Sequence, residues 1–393
     1  MKRISLMLLA VCLLFFASAF NPKRVPAQAP LPAPVDLDIP TPPTAVRAGG
    51  KIHLFYELHI TNFRPQSLEL TGVEIYEEET RAKPLASHKD RELISRLARP
   101  GTPPDLPDGR VIGGGLRAIV FLQVTVDAEA DLPRSLRHRL SFKLDDAGAN
   151  GGERVVEGAA VSIQRSPPPL IAPPLSGDRW LAANSISNMS VHRRAIIPVD
   201  GSARIAQRFA TDWIKLGPDG RPFHGDPAVN ANWYGYGTEL LAVANATVLE
   251  VKDGLPENVP LSAKRAVPIT LETLGGNYVL LGLGRGYSVL YAHLRPNSLR
   301  VKVGEKVRRG QVLGLLGNSG NSDAPHLHMH IADANSPFGA EGVPYVFASF
   351  EVQGAVKSLG VLVGGEGWTP QPNAAVDKRR TEIPVENAIV RFQ

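Results

Sequence analysis

The chain has 393 residues, of which 43% are hydrophobic and 21% charged, with a formal net charge of +5 and a single cysteine. That balance excludes a disordered or fibrous chain and leaves length for about two or three domains with cores of their own. With 34 prolines and 37 glycines against 6% aromatics, short strands joined by turns are favoured over long helices.

Residues 1–19 have the layout of an export signal: Lys2 and Arg3, an apolar run over 4–16, then Ala17-Ser18-Ala19 ahead of a cleavage point. The run is shorter than the roughly 20 residues that span a bilayer, so the expectation is an exported protein, in the periplasm, envelope or outside, without a transmembrane segment in the mature chain. Cys12 lies inside the signal, and Val11 before it is unlike the small residue of a lipoprotein signal. A mature chain without thiols excludes disulfides, Cys-ligated zinc and a Cys nucleophile together. The mild excess of base suits an acidic polymer surface only in a non-specific way. No Lys/Arg cluster with interleaved aromatics occurs, so nucleic-acid binding has no support.

Residues 20–45 are rich in Pro and Ala and read as an extended leader. Period-two apolar runs follow at 51–60, 68–76, 117–126, 136–144 and 159–163, separated by turn signals at 100–104 and at Gly113-Gly114-Gly115. They predict a β-sandwich over 46–165 without evident chemistry. His53 and His59 share a strand face there and read as ordinary polar positions. The proline-dense stretch 166–176 reads as a stiff linker. A second, antiparallel β-sheet domain is expected over 177–350, with strands at 191–199, 204–216, 239–252, 269–274, 278–283, 286–293, 311–316 and 326–332. Its segments 217–234 and 254–268 read as inserts framing a groove. A peripheral strand and mobile tail are expected over 351–393. The fold class is thus all-β.

The chemistry concentrates at Pro325-His326-Leu327-His328-Met329-His330. On a strand, His326, His328 and His330 share one face and Leu327 and Met329 the other. One face can bury into a core, while the other presents a row of imidazoles able to bind metal or carry protons. Three further segments accompany it: Arg208-Phe209-Ala210-Thr211-Asp212 on a strand, with Arg208 and Asp212 on one face; Tyr291-Ala292-His293-Leu294 ending another; and the glycine-punctuated hairpin 301–314 leading into Gly317-Asn318-Ser319-Gly320.

In this order, over roughly 193–346, these motifs resemble the peptidase M23 family, the lysostaphin-like zinc endopeptidases that cut peptide bridges of bacterial cell walls. The resemblance implies one zinc ion held by Asp212 and His328, His293 and His326 as catalytic histidines, and peptidoglycan as substrate. A catalytic zinc takes three protein ligands and an open position, and uncharged histidines beside it can accept and return a proton and stabilise an oxyanion.

Two departures stand out. The family's first ligand, a histidine four residues before the aspartate, is here Arg208, which cannot ligate zinc because its guanidinium stays protonated. His330 occupies a position that the family usually gives to glutamate. The third ligand could be His192, provided that the 199–201 turn has three residues and places it opposite Arg208; a two-residue Asp200-Gly201 turn would place it opposite Phe209, on the wrong face. His224 in the first insert is another candidate, and a weakened or absent metal site is the third possibility. Arg208 itself would pair with a carboxylate or bind anionic substrate groups. The leading expectation is a secreted zinc metalloendopeptidase acting on peptidoglycan cross-links. The alternative is a non-catalytic wall-binding or amidase-activating module on the same scaffold. A lipoyl-like carrier is disfavoured, because the hairpin lacks a modifiable lysine at its tip.

Overall fold

The computed structural model describes residues 34–101, 109–144, 152–370 and 375–393. The export signal, the first part of the leader and the turn residues 102–104 lie outside the described residues. The described chain is nearly all β, with antiparallel sheets predominating.

The N-terminal region forms two five-stranded antiparallel sheets. One is centred on Lys51–Asn62 and Arg117–Val126, the other on Leu68–Glu77 and Ser135–Leu144. Alternation explains their contents. Ile52, Leu54, Tyr56, Leu58 and Ile60 point into an apolar cluster shared with Leu68, Leu70, Val73, Leu140 and Phe142 of the other sheet. The leader differs from expectation in its second half, where Val35–Asp38 pairs with the end of the Lys51–Asn62 strand.

The middle of Lys51–Asn62 is buried on both faces. Its second face carries Phe55 and Glu57, and Phe55 joins the core of the C-terminal region, edge-on to Phe209. Ile119 and Phe121 on the neighbouring strand pack against Ile205. The face expected to be polar is therefore a contact surface within the chain.

A ten-stranded sheet organises the rest. The strand Leu327–Ala332 lies inside it, between Thr211–Lys215 and Tyr287–Leu294. Leu327, Met329 and Ile331 point into the main core beside Trp213, Tyr291 and Phe347.

Several expected elements differ. Residues 191–199 are not one strand: Val191–Arg194 is a short helix, and only Ile197–Val199 pairs, with Ser202–Arg204. Asp200 and Gly201 have φ of 48° and 77°, forming the two-residue turn typical of tight hairpins. Residues 205–210 form turns, with Arg208 N–H donating to Ile205 O at 3.2 Å and Ala210 N–H to Gln207 O at 3.0 Å, and the next strand starts only at Thr211. The 239–252 run divides into Glu239–Leu241 and Ala246–Lys252 in different sheets. Residues 269–274 are a turn, in which the Thr273 hydroxyl accepts from Thr270 N–H and donates to Pro268 O while the Thr270 hydroxyl donates to Glu272.

The proline-rich stretch is docked rather than free, since Leu170–Ile171 pairs in parallel with Val346–Phe347. The chain end is also no tail. Ala388–Phe392 inserts between Gly177–Ala183 and Phe350–Ala355, and Ile389 and Val390 are fully buried there. No helix among the described residues is long and apolar enough to cross a membrane.

Candidate metal centre

Sheet register brings the first two site residues together. Asp212 lies directly across from His328, with Ala183 on its other side. The Asp212 carboxylate Oδ1 is 3.0 Å from His328 Nδ1 and 3.3 Å from His326 Nε2.

His192 reaches the same carboxylate by a route that neither strand register anticipated. The two-residue turn forms, which on a continuous strand would have turned His192 away, but the strand ends at Ile197 and the helix Val191–Arg194 folds back. His192 Nε2 stands 3.3 Å from Asp212 Oδ2. One ligand atom from each of His192, Asp212 and His328 falls within 4.8 Å of the others, and all three residues are buried. His224 is exposed, with its ring edge-on to Tyr234, and does not line the cleft.

Backbone carbonyls fix the imidazole tautomers. A carbonyl oxygen only accepts, so a ring nitrogen facing one must carry the proton. His192 Nδ1–H donates to Asn184 O at 3.1 Å, His326 Nδ1–H to Ala324 O at 2.8 Å, and His293 Nδ1–H to Ser319 O at 2.8 Å. His330 Nε2–H donates to Pro337 O at 3.0 Å, leaving Nδ1 to accept from His328 Nε2–H, also at 3.0 Å. In their neutral forms His192, His326 and His328 thus aim bare nitrogens at the Asp212 carboxylate. Four acceptors facing one another are stable only around positive charge, a proton or a cation. This donor set fits a metal ion with N/O ligands, and its carbonyl-anchored histidines are the usual support of such sites.

The protonation preferences agree. Burial raises the Asp212 pKa, but His192 and His326 outweigh it and hold the carboxyl well below its ordinary range. Burial pushes His326 down, yet Asp212 beside it leaves it raised overall. Burial is the main cause lowering His328 to about 4 and holding His293 and His330 well below the ordinary value, with neighbouring histidines adding to it.

His293 reaches the cleft through an irregularity. Its φ is +67°, and the pairing of Asn277–Gly284 with Tyr287–Leu294 slips beside it. Ala292 and His293 consequently line the same cleft, which regular alternation would forbid. The His293 ring centroid is 4.8 Å from that of His326 and 5.7 Å from that of His328. Gly276 allows the close approach beneath it, since a Cβ there would stand 2.4 Å from Ser319 O, the carbonyl that orients His293.

The structure corrects the reading of Arg208 as a substrate-binding residue. It is not on the Asp212 strand, its side chain is 4% exposed, and it does not line the cleft. Its guanidinium pairs with Glu57 at 2.8 Å and Glu341 at 2.9 Å and donates to Gly342 O at 3.2 Å. The carboxylate-pairing option is the one realised.

Asn184 was not legible as a site residue. Its carbonyl orients His192 while its Nδ2–H donates to Asp212 Oδ2 at 2.8 Å. It has a φ of 48°, a conformation that asparagine tolerates better than most residues, but an isolated asparagine after a strand carries no recognisable pattern. The cleft itself is about 420 Å³, and the second insert contributes Arg265 to it, whereas the first contributes no lining residue.

His330 takes the family's glutamate position as the acceptor for His328 Nε2–H. Replacing it by alanine is expected to weaken metal binding about 10- to 100-fold, the usual cost of losing an outer support. His330→Glu, which restores an acceptor, recovers most of that loss. Chelator competition with the purified variants measures both.

A centre of two histidines and an aspartate, flanked by two further histidines on antiparallel strands, has the donor set of a mononuclear metallohydrolase. Residues 234–339 match the family model described as Peptidase family M23. The matched segment includes His293, His326, His328 and His330, while Asp212 and His192 precede it. Among curated relatives, the peptidoglycan DD-endopeptidase ShyA of Vibrio cholerae is 36% identical over 104 residues, 26% of this chain and 23% of the relative. ShyB of the same organism is 29% identical over 104 residues, 26% and 22% of the two chains. The chain thus spans about a quarter of the length of these relatives. Among solved structures, the catalytic domain of the prophage-encoded M23 protein EnpA from Enterococcus faecalis is 20% identical, with a TM-score of 0.26, covering 44% of this chain and 92% of that one. A zinc-containing peptidase from Vibrio cholerae is 16% identical, with a TM-score of 0.21, covering 74% and 79%.

Proposed function

We propose that the protein is an exported zinc metalloendopeptidase that cleaves peptide cross-links of bacterial peptidoglycan. The observation that carries this reading is the convergence of His192, Asp212 and His328, one ligand atom each within 4.8 Å, beside two catalytic-candidate histidines. The curated relatives named as peptidoglycan DD-endopeptidases support the substrate class.

His192, Asp212 and His328 would hold the ion. Zinc, when bound, would polarise the scissile carbonyl and make a water acidic enough to act as nucleophile near neutral pH. His293 is held by Ser319 O with Nδ1 protonated, so its neutral Nε2 is free to take up a proton. His326, held by Ala324 O, presents Nε2 on the carboxylate side of the cleft, where it can carry a proton to the leaving amine. Either imidazole, once protonated, also stabilises an oxyanion. The non-catalytic alternative draws its motive from Arg208 standing where the family has its first ligand, and His192 beside Asp212 and His328 supplies a third donor from elsewhere.

The test measures zinc content of the purified chain and its action on cross-linked muropeptides. One zinc per chain and conversion of dimeric to monomeric muropeptides, abolished by His293→Ala, are expected. A chain that takes up no zinc and leaves the dimers intact refutes the proposal.

A further inference from the structure

The short helix that carries His192 has little holding it from within. Its four residues are secured by Arg194 N–H donating to Ser190 O at 3.3 Å and Ala195 N–H to His192 O at 3.2 Å, both near the long limit for such bonds. A single helical turn is unstable by itself. Its position must therefore come from side-chain anchors.

Some anchors are local, from His192 to Asn184 O and from Arg194 to Asn188 O, and those that reach farthest lie on the N-terminal two-sheet region. Arg193, the residue after His192, is fully buried there. Its Nε donates to Glu57 at 3.0 Å, and its Nη2 donates to both Tyr56 O and Leu122 O at 2.8 Å. Its Nη1 donates to Asn188, and Phe55 and Phe121 flank the guanidinium at 5.1 and 5.4 Å. Arg194, next in sequence, donates to Ser95 O at 2.5 Å and lies 4.8 Å over the Phe121 ring. The planar, multidentate guanidinium fixes direction as well as distance.

Glu57 is the hub. While one oxygen meets Arg193, the other meets Arg208, which continues to Glu341 and Gly342 in the segment after the histidine strand. Two buried carboxylates balance two buried guanidiniums. Glu57 thus ties together the His192 turn and the chain leaving the His328 strand, two elements on either side of Asp212.

We infer that Glu57 of the N-terminal region is a positioning residue for the metal centre, seating His192 through Arg193, so that the centre is complete only while that region is docked. The inference rests on the zinc reading for the role of His192. It gives the N-terminal sheets a part in the chemistry without any contact between them and the ion. It also explains how a chain with arginine at the family's first-ligand position can present a third ligand from elsewhere: Arg208 and Arg193 share one carboxylate that sets the replacement in place.

Two measurements on the full-length chain test this. Zinc affinity is determined by chelator competition for the wild type, Glu57→Gln, Arg194→Ala, His192→Ala and the double variant Glu57→Gln/His192→Ala. In the metal-free chain, the rate at which diethyl pyrocarbonate modifies His192 is mapped by mass spectrometry. Glu57→Gln is expected to weaken zinc binding at least about tenfold and to speed His192 modification. Adding His192→Ala to Glu57→Gln should then cost far less than it costs alone. Arg194→Ala leaves no buried charge behind and shifts both readouts in the same direction by a smaller factor, so it decides the matter if Glu57→Gln does not fold. Folded variants of lower melting temperature with wild-type zinc affinity and wild-type His192 protection overturn the inference, leaving Glu57 a purely structural residue. A wild type that binds no zinc refutes the peptidase proposal, and the His192 modification rates then decide the positioning role alone.

Discussion

Replacing His192 by alanine is expected to weaken zinc binding by on the order of a thousandfold while changing the melting temperature little. A protein zinc site is worth roughly 10–16 kcal/mol in all, so one of three protein ligands accounts for about 4 kcal/mol, and each 1.4 kcal/mol is a factor of ten. The fold should tolerate the loss. His192 lines the cleft, and its ring makes one hydrogen bond to Asn184 O, while the Asp212 oxygen it faces keeps the donor from Asn184. His224→Ala serves as the control and should leave affinity unchanged, since that residue lies outside the cleft. Chelator competition and thermal denaturation on the same samples separate the two effects. Affinity within a few-fold of the wild type would remove His192 from the site and return the third ligand to an open question.

Arg208→His, which installs the family's own residue at the first-ligand position, should have the opposite profile: a large loss of stability and no gain in zinc affinity. The guanidinium lies between Glu57 and Glu341 at 2.8 and 2.9 Å with all three side chains under 10% exposed. Removing one partner of a buried ion pair costs about 3–5 kcal/mol, because a charge is left buried without compensation. The imidazole is also too short to restore the bond to Gly342 O together with both carboxylate pairs. Urea denaturation should show a lower midpoint with an unchanged slope, as for a loss of stability without a change in the surface exposed. Zinc affinity that rises in this variant would mean that position 208 can still turn toward the metal, contrary to the packing observed.

Arg208 and His192 also show where local sequence stops being informative. The substitution at 208 was plain, but its meaning depended on Glu57, 151 residues away, meeting it at 2.8 Å. The 191–199 segment has apolar residues that suit a strand, and the Asp200-Gly201 turn formed as such a pair favours. The extended pairing nonetheless stopped at Ile197, where the anchoring of Arg193 and Arg194 on the N-terminal sheets outweighed local preference. His293 was recognisable by its motif, whereas its entry into the cleft depended on a slip in strand pairing and a left-handed backbone. The C-terminal strand Ala388–Phe392 was short, and its interior place in the sheet came from partners more than 30 residues away in sequence.

What the sequence determined by itself follows from short-range rules. Period-two alternation set Leu327, Met329 and Ile331 in the core and His326, His328 and His330 on the opposite face. The ordered motifs sufficed to recognise the M23 family, and strand composition sufficed for an all-β, largely antiparallel fold. Tertiary structure alone decided which distant groups meet: His192 with Asp212, Arg208 with Glu57, and Asn184 with both His192 and Asp212. The physical reason is that a side chain's face is dictated by its neighbours along the strand. Its partners, and with them its charge state and tautomer, are dictated by groups that only the folded chain brings within about 3 Å.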